Sequence, residues 1–218
     1  MSNKKVFNNY YFKGENSHFS EIWNYDLLTK LNPWRLRKYR KFTKFYSSFH
    51  ETLLDIGCAY GHFLKLLKKN YKVYGMDISE HAVKIATNRL NCEIKQGDVE
   101  KDIPFKRKFD IITALSVIEH LENPEKAIKN IRNHLNDNGL FCFEVPTISN
   151  KRSKFIYNRF YSKDETHVFI KSADEIKDFI SSCGFNKLAI FCAFFPIFTK
   201  QKNWVDNFSV IFGVFQKV

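Results

Sequence analysis

The 218-residue sequence has no apolar run long enough to cross a bilayer. Its longest, such as Leu188 to Phe195, stop far short of the roughly 20 residues that a spanning helix needs. The opening residues, MSNKKVFNNYYFKG, hold no apolar h-region, so no secretory signal is expected. The 5 cysteines are odd in number and form no C-x-x-C pair, which argues against a disulfide or zinc framework. Cys58, Cys92, Cys142, Cys183 and Cys192 read instead as small core residues of a reducing compartment. A cytoplasmic location is the corresponding expectation. Repeats and low-complexity tracts are missing. Acidic residues are scarce at the two flanks: residues 1–50 hold 10 Lys and Arg against 3 Asp and Glu, and residues 151–218 hold 11 against 6. Between them the charges balance, so the formal +12 sits outside the middle of the chain. One reading is an acidic partner: nucleic acid, an anionic membrane surface or a phosphorylated carrier. The other is a whole-chain bias toward Lys, Asn, Ile, Phe and Tyr, which would produce the same excess.

What is present is a core. Hydrophobic residues at 44% and aromatics at 17% argue against disorder, and the length fits one domain with modest appendages. The chain is organised around Leu53 to Leu67, LLDIGCAYGHFLKLL. Leu53, Leu54 and Ile56 suit a buried parallel strand. Gly57, Cys58, Ala59, Tyr60 and Gly61 form a small-residue turn. Phe63, Leu64, Leu66 and Leu67 then give an amphipathic helix. A strand, a glycine turn and a helix open a nucleotide-binding βαβ unit, because glycine lets the backbone turn sharply and a ligand approach. The dinucleotide pattern G-x-G-x-x-G is not met, since Ala59 and His62 stand where glycines would.

Further along, Lys72 to Met76 reads as a second strand ending at Asp77, and Glu80 to Leu90 as a helix that Ser79 or Asp77 can cap. Cys92 to Gln96 is a third strand, followed by Gly97-Asp98-Val99. Phe109 to Leu115 is a fourth, followed by Ser116 and then Glu119-His120. The helix Pro124 to Leu135 carries proline at its first turn and stops at Asn136–Gly139. Leu140 to Val145 is a fifth strand. Residues 147–171 form a long polar insertion containing Asp164-Glu165-Thr166-His167. Ser172 caps a further helix, with Glu175 at the capping-box position. Lys187 to Phe194 and Phe208 to Gln216 are the last strands, with a loop from Pro196 to Asn207. Ahead of the core, Trp34 to Phe49 reads as a helix with a basic face and a partly apolar one. Such a face can meet a membrane surface or nucleic acid, or simply lie in solvent.

The D-x-G-x-A-x-G run from Asp55 to Gly61, Asp77 at the next strand end, the G-D-V at residues 97–99, and Glu119-His120 together resemble the class I S-adenosylmethionine (SAM) methyltransferases. The resemblance spans roughly residues 50 to 218 and departs from the family at Ala59, where glycine is usual. It implies a three-layer α/β/α Rossmann-like sandwich with a mostly parallel seven-stranded sheet. The implied strand order is 3-2-1-4-5-7-6, with the seventh strand antiparallel. Residues 1–50 would be a helical cap in which Tyr10, Tyr11 and Tyr25 line the pocket, and residues 51–218 the cofactor-binding domain. The implied cofactor is SAM, with S-adenosylhomocysteine as product. Its contacts would come from Asp55, Gly57, Cys58, Ala59, Gly61 and Phe63, then Asp77 and Ile78 at the ribose, Asp98 and Val99 at the adenine, and Leu115. The loop and the following helix start would hold the methionine end.

His120 and His167 are the candidate bases, each with a structural alternative as a loop-fixing hydrogen-bond group. Ubiquinone-type relatives add an acidic residue three before the Glu of E-H and can use a metal. Ser116 stands there, so no metal is expected. D-x-T-H resembles small-molecule and glycan-linked methyltransferases, so the expected acceptor is a hydroxyl on a small molecule or a glycan- or lipid-linked group. An RNA methyltransferase, a non-catalytic SAM-fold module and a nicotinamide oxidoreductase are the alternatives. No N-P-P-[YF] motif supports the first, and the glycine spacing opposes the last.

Overall fold

The computed structural model describes residues 7, 11–12, 26, 33–47, 51–162, 164–193, 198–200 and 209–218. Tyr10, Tyr25 and Trp204, and most of the 196–207 segment, lie outside them.

The central strand is β1 (Thr52–Ile56), whose Leu53 and Leu54 are fully buried. It pairs in parallel with β2 (Lys72–Asp77) on one side and β4 (Phe109–Leu115) on the other. β3 (Glu93–Gln96) extends the sheet beyond β2, and β5 (Leu135–Pro146) lies beside β4. β6 (Phe185–Ala193) and β8 (Val210–Lys217) follow, with β7 (Phe198–Lys200) at the edge. The full order is β3-β2-β1-β4-β5-β8-β6-β7, and β8 runs antiparallel to both neighbours. Without the edge strand this is the seven-stranded order expected from the sequence. β7 corrects the loop expected over Pro196–Asn207: it pairs antiparallel with Phe191–Ala193.

Helices cover both faces. α1 (Pro33–Tyr46) and α2 (His62–Leu67) pack on one side, where Leu36, Tyr39, Phe63, Leu64 and Leu67 join Leu53, Phe212 and Val214 in one apolar cluster. α1 is seated by its aromatics: Tyr39 stacks on Phe212 at 4.6 Å between ring centres, and Phe42 meets Phe191 at 4.0 Å. Burying a side chain of this size contributes roughly 1.5–3 kcal/mol. On the opposite face, α4 (Pro124–Asn133) and α6 (Ala173–Ser182) bury Ile128, Ile131, Ile176 and Ile180 against Ile112, Phe141, Phe143 and Phe215. α3 (Glu80–Arg89) flanks β2 and β3.

Local chemistry sets the ends of these elements. Ser79 caps α3 by accepting from the Ala82 amide, and Asn123 caps α4 with Pro124 at its first position. Ser172 and Glu175 form the expected capping box of α6. Several expected boundaries move by a few residues. The helix expected to reach Leu135 ends at Asn133, because Leu135 is fully buried as the strand partner of Phe109. Within the expected stop at Asn136–Gly139, the left-handed residue is Asn138, at φ 60°. The 147–171 insertion contains a ten-residue helix, α5 (Lys151–Phe160), capped by Asn150 and seated through Ser153 and Tyr157.

The first three strands step outward from β1 to one side, while β4 begins the other side. The carboxyl ends of β1 and β4 therefore frame a switch point, where open α/β sheets bind ligands.

Candidate active site

One cavity of about 380 Å3 opens at these strand ends, within the range of small-molecule sites. Its two ends are built differently.

The first end is built on strand termini and one turn. Gly57 and Gly61 adopt left-handed φ values of 69° and 77°, which suit glycine. A Cβ on Gly57 would stand 2.4 Å from Val117 Cγ2, so that position admits no side chain without displacement. Ala59 is also left-handed, at φ 46°. This explains why glycine is usual there: for alanine the conformation costs roughly 1–2 kcal/mol. The strain is held by Asp77, whose Oδ2 accepts the Ala59 amide at 2.8 Å while Oδ1 accepts the Ser79 amide at 2.9 Å. Asp77 is thus a brace for the turn as well as a cavity wall. An ionised carboxylate has about four acceptor positions, so these bonds, with a further one from the Ile78 amide, still leave capacity for a ligand hydroxyl.

Burial pushes the Asp77 carboxyl up to about 6, against the pull of its amide donors. Asp55 is pushed up to about 7 by burial, partly offset by Thr113 and reinforced by Asp77. Its Oδ1 accepts the Thr113 hydroxyl at 2.6 Å. Asp98 accepts the Glu100 amide at 3.1 Å and lies beside Val99 on the wall. Asp55, Gly57, Cys58, Ala59, Phe63, Asp77, Ile78, Asp98, Val99 and Leu115 all line the cavity. Gly61 is not on the lining; it starts α2, where a Cβ would meet Leu90 at 2.6 Å. α2 is only six residues long.

The second end is assembled from distant segments. Phe7, Tyr11, Arg35 and Leu36 come from the N-terminal region, whose Phe12 packs instead on Tyr60 of the glycine turn, and Glu144 and Pro146 come from β5. Ser116, Glu119 and His120 come from the link after β4, and Tyr161 and His167 from the insertion. Hydrogen bonds stitch these parts together. Val168 and Phe169 amides donate to the Glu119 carbonyl, at 2.8 and 3.0 Å. The Tyr11 hydroxyl donates to Asp164 Oδ2 at 2.9 Å. Arg35 pairs with Glu144 at 3.1 Å, and the Ser116 hydroxyl donates to the same Glu144 oxygen at 3.2 Å. Ser116 itself is left-handed at φ 53°, a strained conformation of the kind found at functional sites.

The two histidines expected from the sequence meet here, with ring centres 4.9 Å apart. His167 Nδ1 lies 3.1 Å from the Tyr157 hydroxyl. Glu119 is 2% exposed, burial holds its carboxyl well above the ordinary range, and its Oε2 has no hydrogen-bond partner among the described residues. Ligand atoms of Glu119, His120 and His167 lie within 4.8 Å of one another, close enough to clasp a polar group or small ion. An acid at residue 116 could not have revealed this cluster, because its third member arrives from 47 positions beyond His120 in sequence, on the insertion. Glu144, Arg35 and Tyr161 were also missed. Glu144 had left a signal: one charge inside the buried run LFCFEV.

A parallel sheet with this strand order and a glycine turn braced by an acid at the next strand end defines a Rossmann-like nucleotide-cofactor protein. Residues 26–190 match the family described as "Methyltransferase domain", and the chain belongs to it. Its family is that of the class I SAM-dependent methyltransferases, and SAM is the family's cofactor.

Among curated relatives, the chain is 30% identical over 169 residues to a tRNA U34 carboxymethyltransferase of Campylobacter jejuni, covering 72% of this chain and 57% of that protein. It is also 30% identical over 111 residues to a ubiquinone biosynthesis O-methyltransferase of Coxiella burnetii, covering 48% and 47%. The chain therefore spans about half the length of the curated relatives it matches. In fold it is similar to a SAM-dependent methyltransferase of Thermotoga maritima described as a possible histamine N-methyltransferase. That match has a TM-score of 0.71 at 19% identity and covers 89% of this chain and 95% of the other. A plantazolicin methyltransferase solved with S-adenosylhomocysteine gives a TM-score of 0.64 at 17% identity, covering 87% and 86%.

Proposed function

We propose that this protein transfers a methyl group from SAM to a hydroxyl oxygen of a small-molecule or glycan- or lipid-linked acceptor, which binds at the Glu119–His120–His167 end of the cavity. The observation that carries this reading is the convergence of two imidazoles and a buried carboxyl opposite a braced glycine turn in one cavity. Residues at the first end fit the cofactor. Asp77 retains acceptor capacity for a ribose hydroxyl, Asp98 and Val99 face the adenine, and buried Asp55 suits the cationic amino end. When bound, SAM supplies an electrophilic methyl group on a sulfonium.

The chain's own work is alignment and proton handling. Fixing the acceptor oxygen in line with the methyl group can contribute roughly 7–11 kcal/mol. Removing the hydroxyl proton falls to His120 or His167 and contributes typically about 10²–10⁴-fold. Burial favours the protonated form of Glu119, in which its carboxyl can both donate to and accept from the bound acceptor. Phe7 against His120 and Tyr11 against Asp164 wall the acceptor end, and Phe12 covers the glycine turn, which supports reading residues 1–50 as a cap on a cofactor domain of residues 51–218 that excludes water from the reaction.

A second reading, RNA methylation, draws on the Campylobacter relative and the basic flanks. The carboxyls at the acceptor end favour a neutral hydroxyl over a phosphate-rich one. Transfer of labelled methyl from SAM to panels of phenols, glycans and tRNA decides between them. Label on a phenol or glycan, lost in His120→Ala, is the expected outcome. Label on tRNA alone, with steep salt dependence, would overturn the small-molecule reading.

A further inference from the structure

We infer that Asp164 and Thr166 are positioning residues that hold His120 with its proton on Nδ1 and its lone pair on Nε2, making His120, rather than His167, the base. This rests on the proposed hydroxyl methyl transfer and deepens it.

The protons available to each group fix the tautomer. The Thr166 hydroxyl donates to Asp164 Oδ1, and an ionised carboxylate can only accept. A hydroxyl has one proton, so Thr166 Oγ1 meets its second neighbour as an acceptor. That neighbour is His120 Nδ1, 2.7 Å away. The backbone carbonyl of Thr166, an acceptor in every state, lies 3.3 Å from the same nitrogen. Two acceptors on one ring nitrogen require it to carry hydrogen, which places the lone pair of neutral His120 on Nε2. Asp164 is itself fixed: it accepts the Thr166 amide at 3.1 Å and the Tyr11 hydroxyl at 2.9 Å, and it is 2% exposed.

His167 is placed differently. Its Nδ1 faces the Tyr157 hydroxyl at 3.1 Å, its Nε2 lies 4.0 Å from Asp164 Oδ2, and its side chain is 3% exposed. Protein groups thus flank both of its nitrogens, and His167 serves as the wall against which the His120 ring rests. In the reaction the acceptor's O–H proton passes to His120 Nε2. The oxygen's electron pair forms the bond to the methyl carbon, and the pair of the broken carbon–sulfur bond returns to sulfur. The resulting imidazolium keeps its Nδ1–H bonds to Thr166, with the Asp164 carboxylate behind them.

The test reads the ring directly in the free protein. Long-range proton–nitrogen NMR correlations of the wild type, at a pH where His120 is neutral, should show the Nδ1–H tautomer. The Nε2–H tautomer would overturn the inference. In Asp164→Asn the amide can donate to Thr166 Oγ1 and release its hydroxyl proton toward His120. The Nε2–H population should then rise and kcat fall by at least about tenfold, with SAM affinity unchanged. Thr166→Ser should keep the wild-type spectrum and kcat. An unchanged spectrum and kcat in Asp164→Asn would overturn the positioning role. Full transfer by His120→Ala would instead overturn the base assignment, a failure that the spectrum separates from the first. The wild-type spectrum decides the tautomer even if a variant does not fold.

Discussion

The two ends of the cavity are both walled by buried carboxyls, yet they are held in different ways. At the cofactor end, Asp55 and Asp77 sit on adjacent strands of the sheet and are fixed from within it: Asp77 by Ala59 and Ser79 of the central βαβ unit, and Asp55 by Thr113 on the neighbouring strand β4. At the acceptor end, Glu119, Glu144 and Asp164 are fixed by partners from α1, the insertion and the N-terminal segment. One end is a property of the sheet, and the other is an agreement among segments far apart in sequence.

The largest effect that separates the ends is expected from Gly57→Val. Its side chain would enter Val117 from a left-handed backbone, costing about 3 kcal/mol of stability and abolishing SAM binding. Chemical denaturation with calorimetry checks both parts, and retained SAM affinity would contradict the geometry. Asp77→Ala should weaken SAM binding by about 10- to 100-fold, as expected for losing hydrogen bonds to a charged acceptor. It should also loosen the turn that its Oδ2 braces.

A third contrast is pH. Asp77 and Asp55 are raised to about 6 and about 7, above their ordinary value near 4. A raised acid contributes stability that is fully present below its unfolded pKa and lost as pH rises through the folded one. The ligand-free protein should therefore lose stability between about pH 4 and pH 7, while SAM affinity should rise through pH 6 to 7 as the two carboxylates ionise. Thermal melts with and without SAM check the opposed signs. Arg35→Met, at the other end, removes the partner of buried Glu144. It should cost about 1 kcal/mol, Arg35 being half exposed, and leave SAM affinity unchanged. Ala59→Gly should have the smallest effect, under about 1 kcal/mol in either direction, because relief of a left-handed alanine is offset by a more flexible unfolded chain.

The same contrast explains what could be read from the residues alone. The individual strands, the glycine turn and Asp77 at its strand end were legible because each follows from a short local pattern, while the strand order and the lining role of Asp98 and Val99 came from the family resemblance that those patterns carry. α5 was not, since the residues that seat it, Ser153 and Tyr157, share a helical face without being aliphatic. The strand start at Leu135 was hidden because one leucine fits the end of a helix face as well as a strand. At the acceptor end the individual histidines stood out. Their meeting with Glu119, and the Asp164–Thr166 link to His120, depend on long-range closure that no local pattern encodes.

Whether the braced glycine turn holds SAM is decided by titration calorimetry of the wild-type protein with SAM and with NAD. Saturable binding of SAM, and none of NAD, is predicted. A folded protein that binds NAD and not SAM, or neither, would contradict it.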